Sequence, residues 1–120
     1  MTSQDQSQWP SIPQPGTSLA DWQTYVDELV RARGWDKASD LETFLLFTEE
    51  VGELAKAYRR HRNLFTEHSK ATESSQSKEE LASELADVLS YVFDLARRLD
   101  IDLEKAAIRK EEINRCRHWD

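Results

Sequence analysis

Carboxylates recur along this chain at a spacing that sets them side by side on helices. Glu49, Glu50 and Glu53 stand in one run and Glu84 and Asp87 in another, with Glu50/Glu53 and Glu84/Asp87 each three residues apart. On a helix turning about 100° per residue, Glu50 falls inside the stripe of Leu46, Phe47, Leu54 and Ala57. Glu53 lies about 60° to one side on the same face, and Glu49 about 100° away in the same direction. Glu84 and Asp87 border a second stripe of Leu81, Val88, Val92 and Leu95, with Tyr91 between them. Antiparallel packing of the two helices would make four acids face one another. At about 5 Å and an effective dielectric near 20, each like-charge pair costs on the order of 3 kcal/mol. Protonation, salt bridges or a divalent cation has to compensate that cost, and a solvated face paired with Lys and Arg is the competing reading.

If a cation does so, all-oxygen ligation selects a hard one, Mg²⁺ before Mn²⁺, which keeps waters and shares phosphate oxygens with a substrate. Zinc is not indicated, and a di-iron centre would want Glu-x-x-His, whereas none of His61, His68 or His118 has an acid three residues before it. Two cationic clusters could neutralise phosphates or complement helix ends: Arg59 to Arg62, and Lys110, Arg115 and Arg117. Trp35 and Tyr91 could stack on a nucleobase or belong to a core. No Ser or Cys nucleophile arrangement is evident.

Helices must position these groups. All three prolines precede Gly16, so residues 17–120 contain no proline break, and no period-2 pattern or hairpin signal suggests a sheet. A first helix is expected from a Ser18 cap to Gly34, carrying Leu19, Trp22, Val26, Leu29 and Val30. A second should follow Asp40 as cap and run to Arg62. A third should start at Ser77, with Glu80 completing a Ser-x-x-Glu capping box, and run through Leu99. A fourth should follow Asp102 and end at the basic Arg115 and Arg117. The polar segment 63–76 reads as a long loop and residues 1–17 as a disordered tail, leaving 18–120 as one domain.

Composition narrows the functional classes. A net charge of -7 over 120 residues argues against binding a nucleic-acid polymer or an anionic membrane surface. The longest apolar run, Phe44 to Phe47, falls far short of a membrane span, and the polar start at Met1 resembles no targeting signal, so a cytoplasmic location is expected. Cys116 is the single cysteine, which excludes an intrachain disulfide and a thiolate metal cluster.

The run Leu46-Phe47-Thr48-Glu49-Glu50-Val51-Gly52-Glu53-Leu54, followed by Glu84-Leu85-Ala86-Asp87-Val88, resembles the MazG-type all-α nucleoside triphosphate pyrophosphohydrolases, whose hallmark is Glu-Glu-x-x-Glu and then Glu-x-x-Asp. Lys110-Glu111-Glu112-Ile113-Asn114-Arg115 is similar to the family's Lys-x-x-x-Asn-Arg segment, and the resemblance extends from Trp22 to Trp119. It implies a four-helix bundle that oligomerises as a homodimer or homotetramer, and Mg²⁺-dependent cleavage of a (deoxy)nucleoside triphosphate between its α- and β-phosphates. The products would be the monophosphate and pyrophosphate, a nucleotide-pool house-cleaning reaction. By this resemblance Glu50, Glu53, Glu84 and Asp87 are metal ligands, and Glu49 is a supporting ligand or orients the attacking water. Lys110, Asn114 and Arg115 would contact the substrate, and Trp35 and Tyr91 match aromatic residues of the dCTP-hydrolysing branch, favouring a pyrimidine deoxynucleotide. The chain departs from that branch at Arg60, where an aromatic is usual, and in the long interval between Glu53 and Glu84. Phosphoribosyl-ATP pyrophosphohydrolases share the acid pattern, and a non-catalytic helical interaction module is the reading outside enzymes.

Overall fold

A computed structural model describes residues 5–63 and 75–117. Among them the chain is all-α: α1 spans Leu19–Ala32, a 3-10 turn Trp35–Lys37, α2 Asp40–His61, α3 Ser75–Arg98 and α4 Leu103–Arg115. Among the described residues, the starts of α1, α2 and α4 carry a side-chain cap. Ser18 accepts from Asp21 N–H and Asp102 from Lys105 N–H, as their positions in the sequence suggest. For α2 the cap is Ser39, which accepts from Glu42 N–H, and Asp40 is instead the first helical residue, where its charge favours the positive end of the helix dipole.

The third helix begins at Ser75, two residues ahead of the expected cap at Ser77. Ser77 is therefore inside α3, and the capping box with Glu80 is not its start; Ser77 Oγ is instead in hydrogen-bond contact with His61 Nδ1 at 2.7 Å. Asn63 closes α2 in a left-handed turn at φ 56°, and of the segment 63–76 expected as a loop, residues 64–74 lie outside the described residues. After α1, Gly34 takes φ 76°, a conformation in which a side chain would be strained.

The chain divides into two compact units, residues 39–92 and the remainder, 1–38 with 93–120. The second of these builds its core from Val26, Val30 and Phe93, with Trp22, Tyr25 and Leu103 packed against it. Trp22 stacks on Phe93 at 6.2 Å between ring centroids and meets Tyr25 edge-on at 5.7 Å. Gln23 is buried among these residues and satisfied at both ends. Its Nε2 donates to Ile101 O at 2.6 Å and its Oε1 accepts from Leu103 N–H at 3.0 Å, which ties α1 to the α3–α4 connection. Asp27 takes hydrogen bonds from Arg31 at 3.1 Å and Arg97 at 3.2 Å, and Asp94 takes one from Arg98 at 2.9 Å.

Unit 39–92 holds α2 and α3 up to Val92, and its packing is leaner. Thr43 and Ala57 are buried, while Leu41, Leu45, Leu85 and Leu89 are each about half or more exposed. No helix among the described residues is long and apolar enough to cross a membrane.

Candidate functional site

Two contacts set the register of α2 against α3 within unit 39–92. His61 meets Ser77 near the α2 C-terminus, and Glu50, eleven residues earlier, meets Glu84 and Asp87 further along α3, so the helices run antiparallel. The three-residue step between Glu84 and Asp87 keeps both on the face turned to Glu50. Each of the three acids offers a carboxylate oxygen, all within 4.8 Å of one another.

Glu50 and Glu84 are half-buried and Asp87 is exposed. The Glu50 carboxyl is held above its usual range, first by desolvation, then by the Asp87 charge, a hydrogen bond and charge from Glu84, and the charge of Glu53. Among the described residues no Lys or Arg forms an ion pair with Glu50, Glu84 or Asp87. Like charges thus crowd here, and no ion pair among the described residues compensates them. An all-oxygen donor set with one solvent-facing member suits a hard divalent cation that keeps waters and accepts a further oxygen ligand.

Glu53 and Glu49 are both exposed and stand outside this triplet. Glu53 still acts on Glu50 through its charge. Tyr91, one turn beyond Asp87, is half-buried. Trp35, Lys110, Asn114 and Arg115 belong to the unit formed by residues 1–38 and 93–120. There Trp35 is 53% exposed, Lys110 and Arg115 are exposed, and the Asn114 side-chain oxygen is buried with no hydrogen-bond partner among the described residues. A buried acceptor left empty costs about 1–3 kcal/mol, a cost that a bound donor would remove.

The sequence reading did not single out Arg33, Asp94 or Arg98, which hold the turn carrying Trp35. Arg98 donates to the carbonyl oxygens of Trp35, at 2.8 Å, and of Ala38. The available signal was Asp94 and Arg98 at i,i+4.

Residues 39–119 match the model of the MazG nucleotide pyrophosphohydrolase domain. The chain is 32% identical over 105 residues to dCTP pyrophosphatase 1 of Mus musculus and, over the same length, 32% identical to that of Homo sapiens. Each match covers 87% of this chain, which spans 61% of the relatives' length. The uncharacterized protein YvdC of Bacillus subtilis is 32% identical over 88 residues, covering 72% of this chain and 82% of its own. The matched stretch takes in the converging acids as well as Lys110, Asn114 and Arg115, and the chain belongs to the MazG nucleotide pyrophosphohydrolase domain family.

Proposed function

We propose that the chain hydrolyses a (deoxy)nucleoside triphosphate between its α- and β-phosphates, releasing the monophosphate and pyrophosphate with Mg²⁺ as cofactor. The observation that carries this reading is the convergence of Glu50, Glu84 and Asp87 with no compensating side-chain cation among the described residues. Glu50, Glu84 and Asp87 would hold the metal, with Glu53 as a further ligand. Bound there, Mg²⁺ would polarise phosphoryl oxygens, neutralise charge on the pyrophosphate leaving group and lower the pKa of a coordinated water; Mn²⁺ would substitute.

Glu49 orients the attacking water. As the water's oxygen bonds to the α-phosphorus and its proton is lost to solvent, the bridging P–O bond breaks and pyrophosphate leaves, with no covalent enzyme intermediate. Lys110 and Arg115 supply positive charge to the triphosphate, and the empty Asn114 oxygen accepts from a substrate hydroxyl or amino group. Trp35 and Tyr91 contact the base. A pyrimidine deoxynucleotide is the favoured substrate, a reading supported by the likeness to proteins named dCTP pyrophosphatase 1.

The exposed leucines of unit 39–92 support assembly with a second copy of the chain, as a homodimer or homotetramer, since apolar surface of that kind is seldom left to water. A cytoplasmic nucleotide-pool house-cleaning role completes the reading. Incubation with a panel of nucleoside triphosphates and Mg²⁺, with monophosphate, pyrophosphate and orthophosphate quantified, tests it. Equal monophosphate and pyrophosphate, abolished by EDTA and greatest for a pyrimidine deoxynucleotide, is expected. Orthophosphate as product, or no turnover of any nucleotide, would refute it.

A further inference from the structure

Trp35 projects from a turn of three residues, a poor platform for holding an aromatic ring still, and yet that turn is fastened twice. Its backbone is clamped by Arg98, which reaches the carbonyls of Trp35 and Ala38 while Asp94 holds the guanidinium. Side-chain exposure is only 10% for Arg98 and 16% for Asp94, so this clamp is sheltered from solvent.

The ring itself is held by Arg33. The Arg33 guanidinium lies over both indoles, 4.6 Å from the Trp35 ring centroid and 4.0 Å from that of Trp9. A cation this close to two indoles is attracted by both rings, and each ring restricts the guanidinium for the other. Trp9 belongs to the segment before α1. Trp35 remains 53% exposed, so stacking on Arg33 leaves it surface to offer.

We propose that Trp9 and Arg33 are positioning residues for Trp35, fixing its indole as a wall for the substrate base and making the N-terminal segment part of the substrate site. This rests on the reading of Trp35 as a base contact given above. An ordered ring does not have to be immobilised when the nucleotide binds, so the stack lowers the entropic cost of binding. It touches no reacting atom and acts on ground and transition states alike, which places its effect in KM and not in kcat.

Steady-state kinetics on the nucleotide turned over fastest tests this. Trp9→Ala should raise KM about three- to fivefold with kcat within about twofold, and Trp9→Phe, which keeps an aromatic face, should restore it. Trp35→Ala should raise KM at least as much, and adding Trp9→Ala to it should change KM by less than about twofold, because the two act through one contact. An unchanged KM in Trp9→Ala, or an equal loss on the Trp35→Ala background, would overturn the positioning role while leaving the hydrolase reading intact. A wild-type protein that turns over no nucleoside triphosphate would overturn both.

Discussion

The two units of this chain use acidic residues in opposite ways. In residues 1–38 and 93–120, Asp27 and Asp94 are each met by arginines, and the Asp27 carboxyl is held below its usual range. Desolvation alone would raise it, but the hydrogen bonds and charges of Arg31 and Arg97 outweigh that. In residues 39–92, Glu50 faces two other acids, no arginine or lysine among the described residues pairs with them, and its carboxyl is pushed up. The first unit resolves the charges of Asp27 and Asp94 internally, through Arg31, Arg97 and Arg98. The second leaves charge unresolved at one place, which is the expected signature of a site completed by something from outside.

The largest expected effect comes from removing one of the unpaired acids. Glu50→Gln or Asp87→Asn should lower kcat/KM by about a hundredfold or more with helicity preserved by circular dichroism; turnover within a few-fold of wild type would mean the cluster is not the catalytic centre. In the paired unit the loss should appear as stability instead. Asp94→Ala leaves the nearly buried Arg98 without its carboxylate and should cost about 2–3 kcal/mol in urea denaturation, and an unchanged midpoint would show that the pair fixes nothing.

Gln23→Leu sharpens the same contrast with a neutral group, because it strands Ile101 O and Leu103 N–H. A cost of about 1–3 kcal/mol is expected, and a stabilised variant would contradict it. The smallest effect is at Asp27, whose folded-state pKa lies below the ordinary 3.8. Its contribution is therefore present above that value and lost as pH falls through the folded pKa. Asp27→Asn should shallow the acid side of the Tm–pH profile and cost under about 1 kcal/mol at neutral pH, given its exposed arginine partners. An unaltered acid limb would remove Asp27 from the account.

Local signals were the most legible in the sequence. Ser18 and Asp102 cap where they stand because capping depends on the few residues that follow. The three-residue step sets Glu84 and Asp87 on one helical face, whereas Glu53, at the same step from Glu50, is exposed and stands outside the converging acids. Where two neighbours could cap, as Ser39 and Asp40, composition did not decide between them. Ser77 lies inside α3, and its hydroxyl meets His61, a partner sixteen residues away that the local sequence does not announce. The two hydrogen bonds of the Gln23 amide and the contacts of Arg33 with Trp9 and Trp35 join residues through backbone geometry or long side chains, and no periodicity announces them.

The central claim is that the unit of residues 39–92 carries an electrostatic cost that a divalent cation relieves. Thermal unfolding of wild type and Glu50→Gln across a Mg²⁺ titration measures this directly. Without metal, Glu50→Gln should melt about 3 °C higher than wild type, because a like charge has been removed. Mg²⁺ should raise the wild-type Tm and leave the variant nearly unmoved. A variant that melts lower than wild type without metal, with Mg²⁺ shifting both proteins alike, would contradict the account.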